Sequence, residues 1–128
     1  MNFTIIPARF APMLQGALRI MTGLLFMEHG TGKLLGFPTL PGLDQMPGAM
    51  LGVTGSLELI GGALIVLGFF TRPVAFVLSG FMAAAYFIAH FPGGFFPVLN
   101  HGELAILFSF VFLYFAAAGP GSFAIDKS

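Results

Sequence analysis

Long apolar stretches alternate along the chain with short breaks rich in proline and glycine. A membrane-crossing helix needs roughly 20 mostly apolar residues, and four stretches meet that length. They run from about residue 13 to 32, 48 to 69, 73 to 91 and 101 to 118. Pro7 and Pro12 precede the first, and a loop with Pro38, Pro41, Gly42 and Pro47 precedes the second. Thr71-Arg72-Pro73 separates the second from the third. Pro92, Gly93, Gly94 and Pro97 end the third, and Gly119-Pro120-Gly121 ends the fourth, leaving a short polar tail. Proline is expected at such boundaries because it removes an interior helical hydrogen bond. The pattern predicts an all-α membrane protein, one antiparallel four-transmembrane-helix bundle over residues 1–128.

Composition agrees with this solvent. Only five Lys or Arg and five Asp or Glu occur in 128 residues, and 57% of the chain is hydrophobic. A soluble domain has roughly 25% charge; this chain has 8%, too little for a charged coat, while its apolar content excludes disorder. Zero net charge and the lack of a basic run argue against nucleic acid. There is no cysteine, so thiol redox chemistry, disulfides and thiolate metal sites are excluded. The first apolar stretch is too long for a cleavable signal and has no small-residue cleavage site after it, so it reads as a retained span.

Positive residues near span ends set orientation. Arg9, Arg19, Arg72 and Lys127 fall on one side and Lys33 on the other, which predicts cytoplasmic termini. Gly48 and Gly52 form a small-xxx-small pair, and Gly52, Gly55 and Gly62 recur on one face of span two. Such faces let helices approach closely, within the bundle or in a homo-oligomer.

The few polar residues within the spans carry the candidate chemistry, since an ionisable group in the membrane is costly and usually functional. Up-down threading brings Glu28, His29 and Lys33 of span one to the same membrane face as Tyr86 and His90 of span three. Asn100, His101 and Glu103 at the start of span four join them. Glu58 lies near the middle of span two, beside Thr54, Gly55 and Gly62, and is expected to be protonated or paired with Arg19 or a His. Gln15, Arg19, Thr22, Phe26, His29 and Lys33 form a bundle-facing stripe. Taken singly, Glu28, His29, His101 and Glu103 are plainly explained as interfacial anchors, Glu103 as a favourable charge in a helix's first turn. Glu58 is too deep for that. A metal site is disfavoured, because no Glu-x-x-His spacing occurs and adjacent helical residues diverge. The uncharged aromatic loop with Phe95 and Phe96 is either an interfacial belt or a lid over an apolar cavity suited to a ring-bearing lipophile such as a quinone.

Leu18-Arg19 through His29-Gly30-x-x-Lys33-Leu34, Glu58-Leu59-Ile60-Gly61-Gly62, Leu67-Gly68-x-x-Thr71-Arg72, Gly94-Phe95-Phe96-Pro97, Asn100-x-Gly102-Glu103-Leu104 and Ala118-Gly119-Pro120-Gly121 together resemble the DoxX family. The resemblance implies a small four-span bacterial inner-membrane protein. Its relatives include the membrane subunit of an archaeal thiosulfate:quinone oxidoreductase, and some members are associated with oxidative-stress complexes. The family's motif residues fall on Arg19, His29, Lys33, Glu58, Arg72, Asn100 and Glu103.

The leading expectation is therefore the membrane subunit of a redox system, with a quinone bound in the outer-leaflet half. Glu58 with His29 or His90 would exchange protons with its oxygens. Arg19, Lys33, Tyr86, Phe95, Phe96, Asn100, His101 and Glu103 would contribute to binding. A partner subunit would supply the electrons. The alternatives are a non-catalytic scaffold, or a small-solute or proton carrier using the same Glu/His cluster.

Overall fold

Each long helix begins or ends where a residue lets the backbone turn. In the computed structural model, which describes residues 1–127, α1 spans Ala11–Leu35 and stops at Gly36, whose φ of 70° takes it left-handed. α2 spans Gly48–Leu67 and ends in the same way at Gly68. α3 spans Thr71–Ala85 and continues through a π-helical turn, Tyr86–His90, and a 3-10 turn, Phe91–Gly93. A short α4, Pro97–Asn100, leads to α5, Glu103–Ala118. All regular structure among the described residues is helical. Ala8–Leu35, Gly48–Leu67 and Thr71–Gly93 are long and apolar enough to cross a membrane.

The fourth stretch is shorter than the sequence predicts. Its helix has 16 residues, about 24 Å at helical rise against roughly 30 Å of hydrocarbon. The reason is local: His101 takes a left-handed φ of 63°, and the Asn100 side chain accepts the Gly102 amide at 2.8 Å. The chain therefore breaks just where the expected span begins.

The helices associate as two pairs, α1 with α2 and α3 with α5. In the first pair the backbones meet through glycine. A Cβ on Gly30 would stand 2.5 Å from the Leu59 amide nitrogen, and one on Gly23 2.9 Å from the Gly62 carbonyl oxygen. Gly55 and Gly62 serve this contact, whereas Gly48 and Gly52 face open space, so the expected pair at the start of α2 is unused within the bundle. In the second pair Ser79 Oγ donates to the Ser109 carbonyl at 2.7 Å and Ser109 Oγ donates to that of Ser79 at 3.0 Å. Phe26, Leu78, Phe108, Phe112 and Phe115 fill the core between the pairs.

The tail is more than a polar end. After α5 it runs back across the end of the bundle that carries the N-terminus and the α2–α3 turn. Ser122 N–H donates to the Pro12 carbonyl, Ile125 N–H to that of Leu67 and Asp126 N–H to that of Gly68. Arg19, 0% exposed, holds it there. Its Nε donates to the Ile65 carbonyl at 2.9 Å, its Nη1 to those of Pro120 and Ser122, and its Nη2 to that of Phe123. Asp126, which reads from sequence as an ordinary tail charge, accepts the Phe70 and Thr71 amides at 2.9 and 2.7 Å. It thereby caps the N-terminus of α3 from a distant part of the chain. Burial opposes its charge, but the Thr71 and Phe70 amides and the Arg19 guanidinium hold the carboxyl below its ordinary value.

Arg19→Ala should lower stability by more than about 3 kcal/mol, because several buried carbonyls lose their donor together. Arg19→Lys should not restore it, since one ammonium cannot reproduce the guanidinium fork; thermal unfolding in detergent reads both. Asp126 contributes stability that is present above the ordinary aspartate pKa, about 3.9, and is lost as pH falls through its lowered folded value. The Asp126→Asn variant should therefore unfold at a midpoint less sensitive to pH across the acid range than the parent chain.

Candidate functional site

At the opposite end, where the α1–α2 and α3–α5 connections lie, the helix pairs diverge around a cavity of about 610 Å³. α1 contributes Phe26, His29 and Lys33, and α2 contributes Met50, Thr54 and Glu58. The far wall is built by α3 and its π turn, including Phe81, Met82, Ile88 and His90, and by His101, Leu104 and Phe108 around the start of α5. A π turn adds a residue to the helix and is frequent at functional sites; here it shapes the stretch that ends in His90.

An ion pair lies at the base of this cavity. Lys33 Nζ is 2.9 Å from Glu58 Oε1, with both side chains largely buried. Lys33 also donates to Thr54 Oγ1 at 3.0 Å, and Thr54 Oγ1 donates to the Met50 carbonyl at 2.7 Å. The spacing of Lys33 along the α1 stripe and the depth of Glu58 both result from helical phase, and close α1–α2 packing through glycine brings them together. Glu58 is thus paired, but with Lys33 rather than with Arg19 or a histidine. Arg19 is anchored at the other end of the bundle and takes no part in the cavity.

Two histidines face the cavity with one ring nitrogen already engaged. His29 Nδ1 lies 3.0 Å from the Leu25 carbonyl oxygen, and His90 Nδ1 lies 3.2 Å from that of Asn100. The His29 ring also meets the Phe108 ring edge to face. His101 lines the cavity from an exposed position.

The remaining sequence candidates stand elsewhere. Tyr86 and Asn100 are buried, but against each other: Asn100 Nδ2 donates to the Tyr86 hydroxyl at 3.0 Å and to the Gly94 carbonyl at 2.9 Å. They fix the α3–α5 connection from which His90 and His101 project. Glu103 is exposed in the first turn of α5, where the helix N-terminus favours a negative charge. Glu28 is exposed as well. Phe95 and Phe96 are 73% and 60% exposed and do not line the cavity. The cover comes instead from the α1–α2 loop, through Leu40, Pro41, Leu43 and Met46. Sequence reasoning passed over this loop because it has no aromatic cluster; its only signal is apolar residues recurring between the proline and glycine breaks. Among the described residues, no three His, Asp or Glu side chains converge closely enough to hold a metal ion.

The comparisons with known proteins agree with the architecture. The family model described as DoxX matches residues 14–91. An "Uncharacterized protein" of Haemophilus influenzae is 45% identical over 124 residues, covering 93% of this chain and 92% of its own. "Inner membrane protein YqjF" of Escherichia coli is 36% identical, covering 85% of this chain and 86% of its own. A Bacillus subtilis protein named "Putative oxidoreductase CatD" is 29% identical over 85% of this chain and 81% of its own. No solved structure matches significantly. The chain belongs to the DoxX family and is a membrane protein whose apolar helices contact the lipid bilayer.

The ion pair makes a direct prediction. Lys33→Met and Glu58→Gln should each destabilise the protein by about 3 kcal/mol, because each strands a buried partner. Replacing both, as Lys33→Met with Glu58→Gln, should cost clearly less than the two single changes combined. Additive losses in a thermal-unfolding cycle would show that the two groups do not interact.

Proposed function

We propose that this DoxX-family protein is the membrane subunit of a redox system in a bacterial inner membrane, holding a quinone-type lipophile in the cavity between its helix pairs. The supporting observation is the cavity itself, about 610 Å³ with mostly apolar walls and a few polar groups at its base. This is the usual form of a site for a small lipophilic molecule. A quinone has the matching shape: an apolar ring and tail, with oxygens at the ring edge. The relative named an oxidoreductase and the relative named an inner membrane protein favour the same assignment.

The residues divide the work by chemistry. Phe26, Phe81 and Phe108 offer faces and edges to a flat ring, and Ile88 and Met50 border the opening. Glu58, Lys33 and either His29 or His90 exchange protons with the ring oxygens, the carboxylate and the imidazole Nε2 as acceptors and the Lys33 ammonium as donor. A bound quinone would supply a two-electron carrier, with a partner subunit or a bound cofactor supplying the electrons. Arg9, Arg19 and Arg72 belong to the end that carries the termini and Lys33 to the cavity end, so the positive-inside rule puts the cavity in the outer-leaflet half. Because the chain lacks cysteine, a Thr39→Cys variant labelled by an impermeant maleimide in intact cells, with Asn2→Cys left unlabelled, tests that orientation.

Protein extracted in mild detergent should contain quinone detectable by mass spectrometry. Adding a short-chain quinone to stripped protein at a hundredfold excess over its Kd should stabilise it by about 2.7 kcal/mol. Glu58→Gln and His29→Phe should reduce that stabilisation. Protein with no quinone, and with an unchanged melting temperature on addition, would refute the assignment.

A further inference from the structure

We propose that the cavity selects its ligand by hydrogen-bond polarity, taking the reduced, hydroxyl-bearing form of a ring-type lipophile in preference to the oxidised, carbonyl-bearing form. This deepens the binding reading above and rests on it. The geometry that carries it is the set of hydrogen bonds the cavity side chains already make.

A backbone carbonyl can only accept a hydrogen bond. The proton between His29 and Leu25 therefore sits on His29 Nδ1, and the one between His90 and Asn100 sits on His90 Nδ1. A neutral imidazole carries one donor and one acceptor. With Nδ1–H committed to the backbone, the Nε2 of each ring is an acceptor, and among the described residues neither Nε2 has a hydrogen-bond partner. The Glu58 carboxylate also only accepts.

Donors are scarcer. Lys33 directs hydrogens to Glu58 Oε1 and Thr54 Oγ1, leaving one of three. Thr54 gives its own hydroxyl hydrogen to the Met50 carbonyl. The base and wall of the cavity thus offer two imidazole acceptors and a carboxylate against one remaining ammonium hydrogen, and the exposed His101 at its edge adds one acceptor and one donor. A ligand with hydroxyl groups can donate to these acceptors. A quinone offers only carbonyl oxygens, which would face the imidazole lone pairs without a proton between them.

Each unmatched pair costs a factor of about five in affinity, so two give a preference of about 25-fold. Tighter binding of the reduced form raises the midpoint potential of the bound couple, by about 30 mV per tenfold for two electrons. The site would make its bound quinone a stronger electron acceptor than free quinone in the membrane.

The test uses the full chain in lipid nanodiscs and anaerobic calorimetry with three probes: a short-chain ubiquinone, its quinol, and the quinol's dimethyl ether. The ether keeps the ring and bulk but has no hydroxyl to donate. The quinol should bind about 25-fold tighter than either of the others. His29→Phe and His90→Phe should each reduce that margin about fivefold, with ligand-free melting temperatures checking that the variants are folded. If a variant does not fold, the three-probe comparison on the unaltered protein still decides. Equal affinities, or tighter binding of the quinone, would overturn the preference and leave the lipophile site standing. Failure of all three probes to bind would overturn the lipophile site and the preference with it.

Discussion

A guanidinium sealed inside a membrane bundle needs partners for its nitrogens, and Arg19 finds one or more for each of the three among backbone carbonyls alone. No side chain in α2 supplies them. They come from the last turns of α2 and from the tail after α5, so the demand forces the chain to return across its own end. That return brings Asp126 to the first amides of α3, and the tail amides to the ends of α1 and α2. One buried cation thus ties the ends of α1, α2 and α3 to the segment that follows α5. An ammonium could not do this, because its three hydrogens radiate from one point while the guanidinium fork spreads its donors across a plane.

With one end fixed, the packing of each pair determines what happens at the other. Glycines at 23, 30, 55 and 62 bring the α1 and α2 backbones into contact along much of their length. Phenylalanines hold the α3–α5 pair further off, through Phe26, Phe108 and Phe112 stacked across the middle. Beyond that layer the pairs diverge and enclose the cavity, with Phe26 and Phe108 in its lining. The π turn and the break at His101 complete its far wall.

Much of this was legible in the sequence, and the illegible parts share a cause. The apolar stretches and their proline and glycine boundaries follow from local composition. The α1 stripe follows from helical phase, and its residues from Gln15 to Lys33 are buried or half-buried in the structure. The depth of Glu58 was legible too, but its partner was not: choosing Lys33 over Arg19 requires the rotation of α2 about its axis, which is set by cross-helix glycine contacts such as Gly30 against Leu59 and Gly55 against Lys33. Asp126 was missed because capping across 55 residues leaves no local motif. The identity of the covering loop was misread for a similar reason. Aromatic content drew attention to Phe95 and Phe96, while the loop that closes the cavity is the one joining the tightly packed α1 and α2.

The two buried cations show how position decides between structure and chemistry. Arginine keeps its proton under all ordinary conditions, and at the closed end of the bundle that permanence is useful, because a fixed charge can organise fixed carbonyls. At the open end the cation is a lysine beside a carboxylate, with imidazoles on the neighbouring walls. Exchanging the two would serve neither end: a lysine at position 19 would leave carbonyls without donors, and an arginine at position 33 would put an unexchangeable charge where the proposed quinone chemistry moves protons. The same polar economy that lets so few charges hold the fold together leaves Lys33, Glu58 and three histidines around the cavity between the helix pairs.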